Sequence, residues 1–312
     1  MSTQFKGIED RLLTEASSAY IPEGCIADLL LPTAKFALYS GEFGSYGMNH
    51  LRIENTIKGG KGKFRFVESI IRSTQDFKIK GHGLEGMVTK EDYANVTDPF
   101  KAEDDEQMGL TTLIMLAKEK GLADSLGNTA IITQNTTLSG TSQWNDYVNS
   151  EVINVIQTAK KAVRDGSGAV ANAAIMEYDV AEVLRYHPQL LDYLGFKDSR
   201  PGGLNDQELA KALNVKRVFI ADAKYNSAKE GQSDVLTNVW GKNLVFAVIP
   251  EKAAKRQISL GYNIRLEGST PRKVYKQPLF NPPGATAILV EDEFDMLLSN
   301  VNAAYLIKNA IA

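Results

Sequence analysis

The sequence is poor in the residues that carry chemistry. Its 312 residues include one cysteine, three histidines and two tryptophans. A lone Cys25 excludes an intrachain disulfide and fits a reducing compartment. It lies in the apolar stretch 21 to 31, which marks a buried, inert thiol rather than a reactive one. His50, His82 and His187 stand without a second His, Cys or paired acid at metal-ligand spacing. His82 lies between two glycines and reads as a turn residue. His187 precedes Pro188 and reads as a helix C-terminal residue. There is no Gly-x-Ser-x-Gly elbow and no Gly-x-Gly-x-x-Gly. The lysine–glycine run at 58 to 63 lacks the Gly-Lys-Ser/Thr ending of a phosphate loop and does not join a strand to a helix. The acids 103 to 106 read as the solvated start of a helix, not a metal cluster. Trp144, Trp240, Tyr225 and Tyr262 read as packing residues, not a ligand platform. No catalytic, cofactor-binding or metal-binding residue is nominated, and the chain is not read as an enzyme.

Other absences bound the class. No apolar run approaches the roughly 20 residues that span a bilayer. The N-terminus, MSTQFKGIEDRLL, lacks the apolar core of a signal peptide, so a soluble protein is expected. The net charge of −3 offers no global basic excess for gripping phosphate. A hydrophobic content of 43% is ample for a core, and the length allows one large domain or two ordinary ones.

What the chain does have is a reversal of charge. Residues 49 to 82 hold eight Lys or Arg against three acids, whereas residues 85 to 106 hold eight acids against two Lys. The basic part reads as a long hairpin with a glycine-rich tip at 58 to 63. Phe64 to Lys80 has strand composition. A hairpin so long and so charged must project and lie on something. The acidic part enters a helix signalled by Asp98-Pro99, an N-cap followed by proline. That helix is predicted over 99 to 126, with acids in its opening turns where the helix dipole favours them.

The remaining segments order themselves around these two. Residues 1 to 35 read as an arm, with Ile8, Leu12, Leu13 and Ala16 on one face of a short helix. A second helix is predicted over 144 to 163, from Trp144, Val148, Val152, Val155, Ile156, Ala159 and Val163 at 3- and 4-residue spacing. Asp165-Gly166-Ser167-Gly168 ends it. An α/β pattern follows: a strand at VANAAIM, a helix over 179 to 187, a capping-box start at Asn205 to Glu208, and strands at VKRVFIAD, NLVFAVI and ATAILVE. Residues 258 to 266 alternate, with Ile258, Leu260, Tyr262, Ile264 and Leu266 on one side. The apolar tail 303 to 312 is expected to return to the long-helix region.

This order of segments resembles the major capsid proteins of tailed bacteriophages, with the Hong Kong 97-type capsid fold. Ile26-Ala27-Asp28 through Pro32 resembles the family's N-arm, and the glycine-rich hairpin its extended loop. The helix 98 to 126 is similar to its spine helix. The stretch Lys224-Tyr225-Asn226-Ser227-Ala228 followed by Val239-Trp240-Gly241 is the most family-like. Ala303 to Ile307 is similar to the closing strand.

The resemblance implies an α+β fold in four parts. These are an N-terminal arm at 1–35, an extended β-hairpin loop at 36–90, a peripheral domain at 91–143 and 290–312, and an axial α/β domain at 144–289. It implies hexamers and pentamers in an icosahedral head enclosing double-stranded DNA, built in the host bacterial cytoplasm. The implied partners are other copies of the chain, a separate scaffolding protein, a portal, and packaged DNA by non-specific proximity. No cofactor and no membrane is implied.

Two other readings stay open. An encapsulin-type compartment shares the fold and stores cargo enzymes. A soluble α/β enzyme with a helical arm predicts a small oligomer and a ligand pocket. Three expectations concern assembly. Lys58, Lys61, Lys63 and Arg65 should approach acids near Glu103 to Glu106 of an adjacent subunit. Ile8, Leu12 and Leu13 should pack on a neighbour. The shell should be held without Lys–Asn cross-links between Lys58, Lys61 or Lys63 and Asn300 or Asn302.

Overall fold

The computed structural model describes residues 7–45, 53, 56–58, 73–95, 99–196, 202–229, 231–254 and 257–312. Its organising element is helix α4 (Pro99–Leu126), whose 28 residues run where the sequence predicts them. At about 1.5 Å per residue the rod is about 42 Å long. Asp98, its expected N-cap, lies outside the described residues. One rod serves two sheets. Leu110 and Ile114 in its middle turns pack on one sheet, and Leu122, Ala123 and Leu126 in its last turns pack on the other.

The first sheet has six strands. Its long member is β14 (Ala285–Leu297), which pairs antiparallel with β13 (Lys273–Leu279), β12 (Tyr262–Leu266) and β5 (Lys80–Val88). The short β1 (Ile8–Glu9) extends β13, and β2 (Thr33–Phe36) runs parallel to β12. Helix α1 (Arg11–Ala19) covers this sheet beside α4, capped by Asp10, whose carboxylate accepts from the Leu12 and Leu13 amides. The short helix α3 (Lys90–Asn95) turns the chain from β5 into α4.

The second sheet, in the order β6 (Asn135–Thr137), β15 (Ala304–Lys308), β11 (Leu244–Ala247), β7 (Ala173–Glu177) and β8 (Arg217–Ala221), is mixed. Strands buried on both faces read as unbroken apolar runs, and β7 and β11 are buried at every position. One face takes α5 (Val152–Ser167), α6 (Tyr178–Arg185), α7 (Pro188–Tyr193) and α8 (Asp206–Ala212). The other takes the end of α4 and the short α2 (Ala27–Leu30). A small hairpin, β9 (Lys224–Asn226) with β10 (Leu236–Asn238), stands at its edge. A second ladder pairs β3 (Ser40–Ser45) antiparallel with β4 (Ser73–Lys78).

Several expectations change here. The predicted helix from Trp144 begins only at Val152. The Asp146 carboxylate accepts from the Val148 and Asn149 amides, which folds that stretch into a turn. The apolar tail, expected to return to the long-helix region, places Ala304 and Leu306 in one core cluster with Leu122 and Leu126 of α4. Its strand β15 lies inside the five-stranded sheet, between β11 and β6, because its residues are apolar on both faces. Conversely, residues 262 to 289, assigned from sequence to the axial α/β part, supply β12, β13 and part of β14 to the six-stranded sheet. The capping box at Asn205 and Glu208 is present as read, with each side chain bonded to the other's backbone amide.

Candidate assembly surfaces

The few residues able to do chemistry are spent on structure. His187 is buried, and its ring Nδ1 accepts from the Gln189 amide, which caps α7. That leaves Nε2 as the protonated nitrogen, facing Ser150 Oγ at 3.0 Å. The imidazole therefore donates to the hydroxyl and cannot serve as its base. His187 also ends the preceding helix, since its amide bonds the Leu184 carbonyl. So its role is a junction between α6 and α7, wider than the helix end expected. Cys25 is buried, and burial, reinforced by Glu119 and Asp28, pushes its thiol up to about 12. It is inert as a nucleophile. His82 stacks on Phe294 at 4.4 Å, and His50 lies outside the described residues. The four aromatic candidates fall in separate clusters: Trp144 against the α5 face, Trp240 and Tyr225 on the opposite face, and Tyr262 under the hairpin. They form no platform. Among the described residues no group of three or more His, Cys, Asp or Glu could hold a metal. No helix among them is long and apolar enough to cross a membrane.

The arm is bound to its own chain more deeply than its sequence suggests. Leu13 is 6% exposed and packs with Ile114, Val274 and Ile288. Thr14 Oγ1 accepts from the Val274 amide, and Ser17 bonds Thr111 on α4. Leu13 therefore belongs to its own subunit's core, not to a neighbour. Ile8 and Leu12, at 80% and 79% exposed, keep the outward face.

Beyond α1 the arm is held by buried charge. Asp28 on α2 bonds Lys118 of α4 and, at 2.5 Å, Arg272 Nη1. Arg265 makes a two-pronged bond to Asp292 at 2.5 and 3.1 Å and reaches within 3.8 Å of Asp28. Burial alone would raise the Asp28 carboxyl. The Lys118 ammonium, with Arg272 and Arg265, holds it below the usual range instead. Next along α4, Glu119 accepts from the Ile26 and Ala27 amides at 3.0 and 2.7 Å and from Trp240 Nε1 at 2.6 Å. Burial pushes the Glu119 carboxyl up, against the pull of those three donors. Neighbouring residues of one helix thus clasp the arm and both sheets. Sequence reasoning missed this node. Its one signal was the polar side of the alternating stretch at Asn263 and Arg265, which is buried like the apolar side.

The ladder of β3 and β4 is clamped by rings. Phe36 lies 4.7 Å from Phe77 and 6.0 Å from Phe43, and Phe43 lies 4.9 Å from Tyr262. A groove of about 470 Å³ opens beside the clamp, between Lys35, Glu42, Phe43 and Gln257. Of the hairpin cations, Lys58 is exposed, while Lys61, Lys63 and Arg65 lie outside the described residues. The acidic helix start is partly committed within the chain. Lys276 bonds Glu103 and also Asp10, at 3.0 Å. Asp104 and Asp105 remain exposed, so the acidic surface open to a neighbour is narrower than the run 103 to 106.

The solved structures show which fold this is. A phage-related protein from Bordetella bronchiseptica RB50 has the same fold, with a TM-score of 0.76 at 20% identity over 97% of this chain and 98% of that one. The mature capsid of bacteriophage PhiM1 matches with a TM-score of 0.51 at 15% identity, over 88% and 83%. The fold is that of the Hong Kong 97-type capsid subunits.

No protein-family model matches the chain. It is 24% identical over 270 residues to the major capsid protein of Burkholderia phage BcepMu, covering 84% of this chain and 85% of that one. It is 22% identical over 309 residues to the major capsid protein of Pseudomonas phage JBD67, covering 97% of each. The chain is a relative of the major capsid proteins of tailed phages, which are structural proteins and not enzymes.

Proposed function

We propose that this chain is the shell subunit of a phage head, assembling into hexamers and pentamers of an icosahedral container for double-stranded DNA. The observation that carries the reading is likeness along nearly the whole chain, to a major capsid protein in sequence and to a phage-related protein and a mature phage capsid in fold. The surfaces support it. Ile8 and Leu12 present an apolar pair on a braced arm. The chain between β3 and β4 contains most of the basic stretch, and Asp104 and Asp105 offer acids for a neighbour's Lys58, Lys61, Lys63 and Arg65. Each exposed pair contributes only about 0–1 kcal/mol, so register comes from repetition over the shell and weakens in salt. A near-neutral chain encloses DNA without holding it tightly, since grip scales with the phosphates neutralised. On this reading the subunit resides in the virion, is built in the host cytoplasm, and works with a scaffolding protein and a portal.

Expression of the full chain followed by size-exclusion chromatography and electron microscopy tests it. Closed shells or capsomers support the reading, and a small soluble oligomer refutes it. Extraction of particle contents separates a DNA container from a compartment holding cargo enzymes. Reversing Lys58, Lys61 and Lys63 to Glu should lower particle yield at low salt, and unchanged yield refutes the charge pairing.

A further inference from the structure

Helix α4 is covered on one flank by α1, where Ser17 bonds Thr111. Its other flank is bare among the described residues. There Leu113, Ala117 and Gly121 recur at every fourth position, and all three are exposed. A solvated helix face ordinarily carries charge, and this stripe carries none. Between it and β5 runs a trough of about 550 Å³, floored by His82, Leu84 and Phe294. Leu84 and Leu113 are 41% and 54% exposed. At Gly121 a Cβ would meet no atom within 4 Å, so the trough is open there. Its floor is aromatic. His82 stacks on Phe294 at 4.4 Å, and Lys118 Nζ lies 4.2 Å from the Phe294 ring centre. Such a recess suits a further ring, held by edge or offset contact with the stacked pair and by attraction to the ammonium.

One ring stands uncovered. Phe280, in the turn between β13 and β14, is 100% exposed, more than any other large apolar side chain among the described residues. An exposed tyrosine keeps its hydroxyl in water, whereas a phenyl ring gains nothing there. Phe280 cannot fill the trough of its own chain. Phe294 stands nine residues beyond Ala285 on β14, a run of about 30 Å. Ring and trough thus lie towards opposite ends of one strand, and only another copy brings them together. The charges agree. Lys90 packs beside Gly284 at the base of the turn, and Glu106 lies over Gly86 at one end of the trough.

We propose that Phe280 of one copy seats in the α4–β5 trough of another, with Lys90 brought towards Glu106. A knob and a hole on different surfaces make a head-to-tail contact, which repeats until a ring closes. The inference rests on the reading of the chain as a self-assembling subunit, and it adds which surfaces meet.

A photo-cross-linker tests it. Particles are assembled from the full-length chain with p-benzoylphenylalanine in place of Phe280, which keeps a ring at that position. After irradiation, a denaturing gel and mass spectrometry of the joined peptides locate the contact. A band at twice the chain mass is expected, with position 280 of one copy joined to 81–84 or 113–121 of another. Joining to position 280 of a second copy, joining to any other segment, or no joining in intact particles overturns the proposal. Ala117→Trp fills the trough from within and should weaken association about tenfold or more, read as a rise in the protein concentration needed for particles. Phe280→Ala should do the same, and Leu236→Ala, an exposed apolar residue on β10, should not. Far-UV circular dichroism checks folding. If the cross-linker itself blocks assembly, Ala117→Trp decides, and particles at the wild-type concentration overturn the contact. A wild-type chain that forms no particles fails the shell reading itself, whereas particles without this junction fail the contact alone.

Discussion

Asp28→Asn is the sharpest test of how this fold is held. The substitution keeps the side chain's volume and removes only its charge. Asp28 faces Lys118 and Arg272, whose side chains are 1% and 4% exposed. Neither can turn to water without breaking the packing between α2, α4 and the six-stranded sheet. Arg265 cannot compensate, because it adds a third positive charge and is itself committed to Asp292. Breaking a buried pair from one side costs about 3–5 kcal/mol, a large share of the roughly 5–15 kcal/mol that stabilises a typical domain. Arg272 retains the Ser17 and Ser18 carbonyls at 2.8 and 2.6 Å, so most of the penalty falls on Lys118. The double variant Asp28→Leu with Lys118→Met should therefore recover much of the loss, since an apolar pair replaces a charged one at little net cost. Urea unfolding of the unassembled full-length chain, followed by far-UV circular dichroism, reads both. A shift in Asp28→Asn of less than about 1 kcal/mol would refute the idea that Lys118 depends on this carboxylate. A double variant no better than the single would refute the apportioning.

The two leucines at the arm should separate folding from assembly. Leu13→Ala should cost about 2–5 kcal/mol in the same unfolding assay, whereas Leu12→Ala should leave stability within about 0.5 kcal/mol and reduce particle yield. The Glu177 and Glu119 carboxyls, both raised in the fold, add stability that is full below the ordinary glutamate range and drains as pH rises through it, for Glu177 up to about 7. Glu177→Gln should flatten its part of that slope, and an unchanged slope counts against it. Asp28, held low, acts oppositely, its contribution disappearing only in acid. Particles boiled in denaturant should run as one band near 34.2 kDa. A reductant-resistant ladder would reveal covalent links.

The sequence was legible where one physical signal dominated. Asp98-Pro99 with acids behind it announced α4, and apolar runs announced β7, β11 and β14. It failed where two signals compete. Trp144 and Val148 carry helical spacing, but the Asp146 side chain bonds the local backbone amides and wins them for a turn. Leu13 looked like a free arm's anchor because periodicity shows which face is apolar and says nothing of which chain covers it. The ionic node was invisible for a related reason. Asp28, Lys118, Arg265, Arg272 and Asp292 are spread across the chain and look like ordinary surface charges until the fold brings them together.

Helix α4 has a mechanical consequence. Its peptide hydrogen bonds form one unbroken column, so it acts as a stiff lever with a different sheet gripped at each end. Tilting such a lever by about 5° about one end moves the other by about 3.7 Å over its length of about 42 Å. That is a large displacement for packed side chains, which lose their contacts over a fraction of it. A push on the six-stranded sheet cannot be absorbed there. It arrives at Leu122 and Leu126 as a displacement of the five-stranded sheet, and the Lys118–Glu119 clasp about three-quarters along the rod, which grips the arm, is the fulcrum it passes.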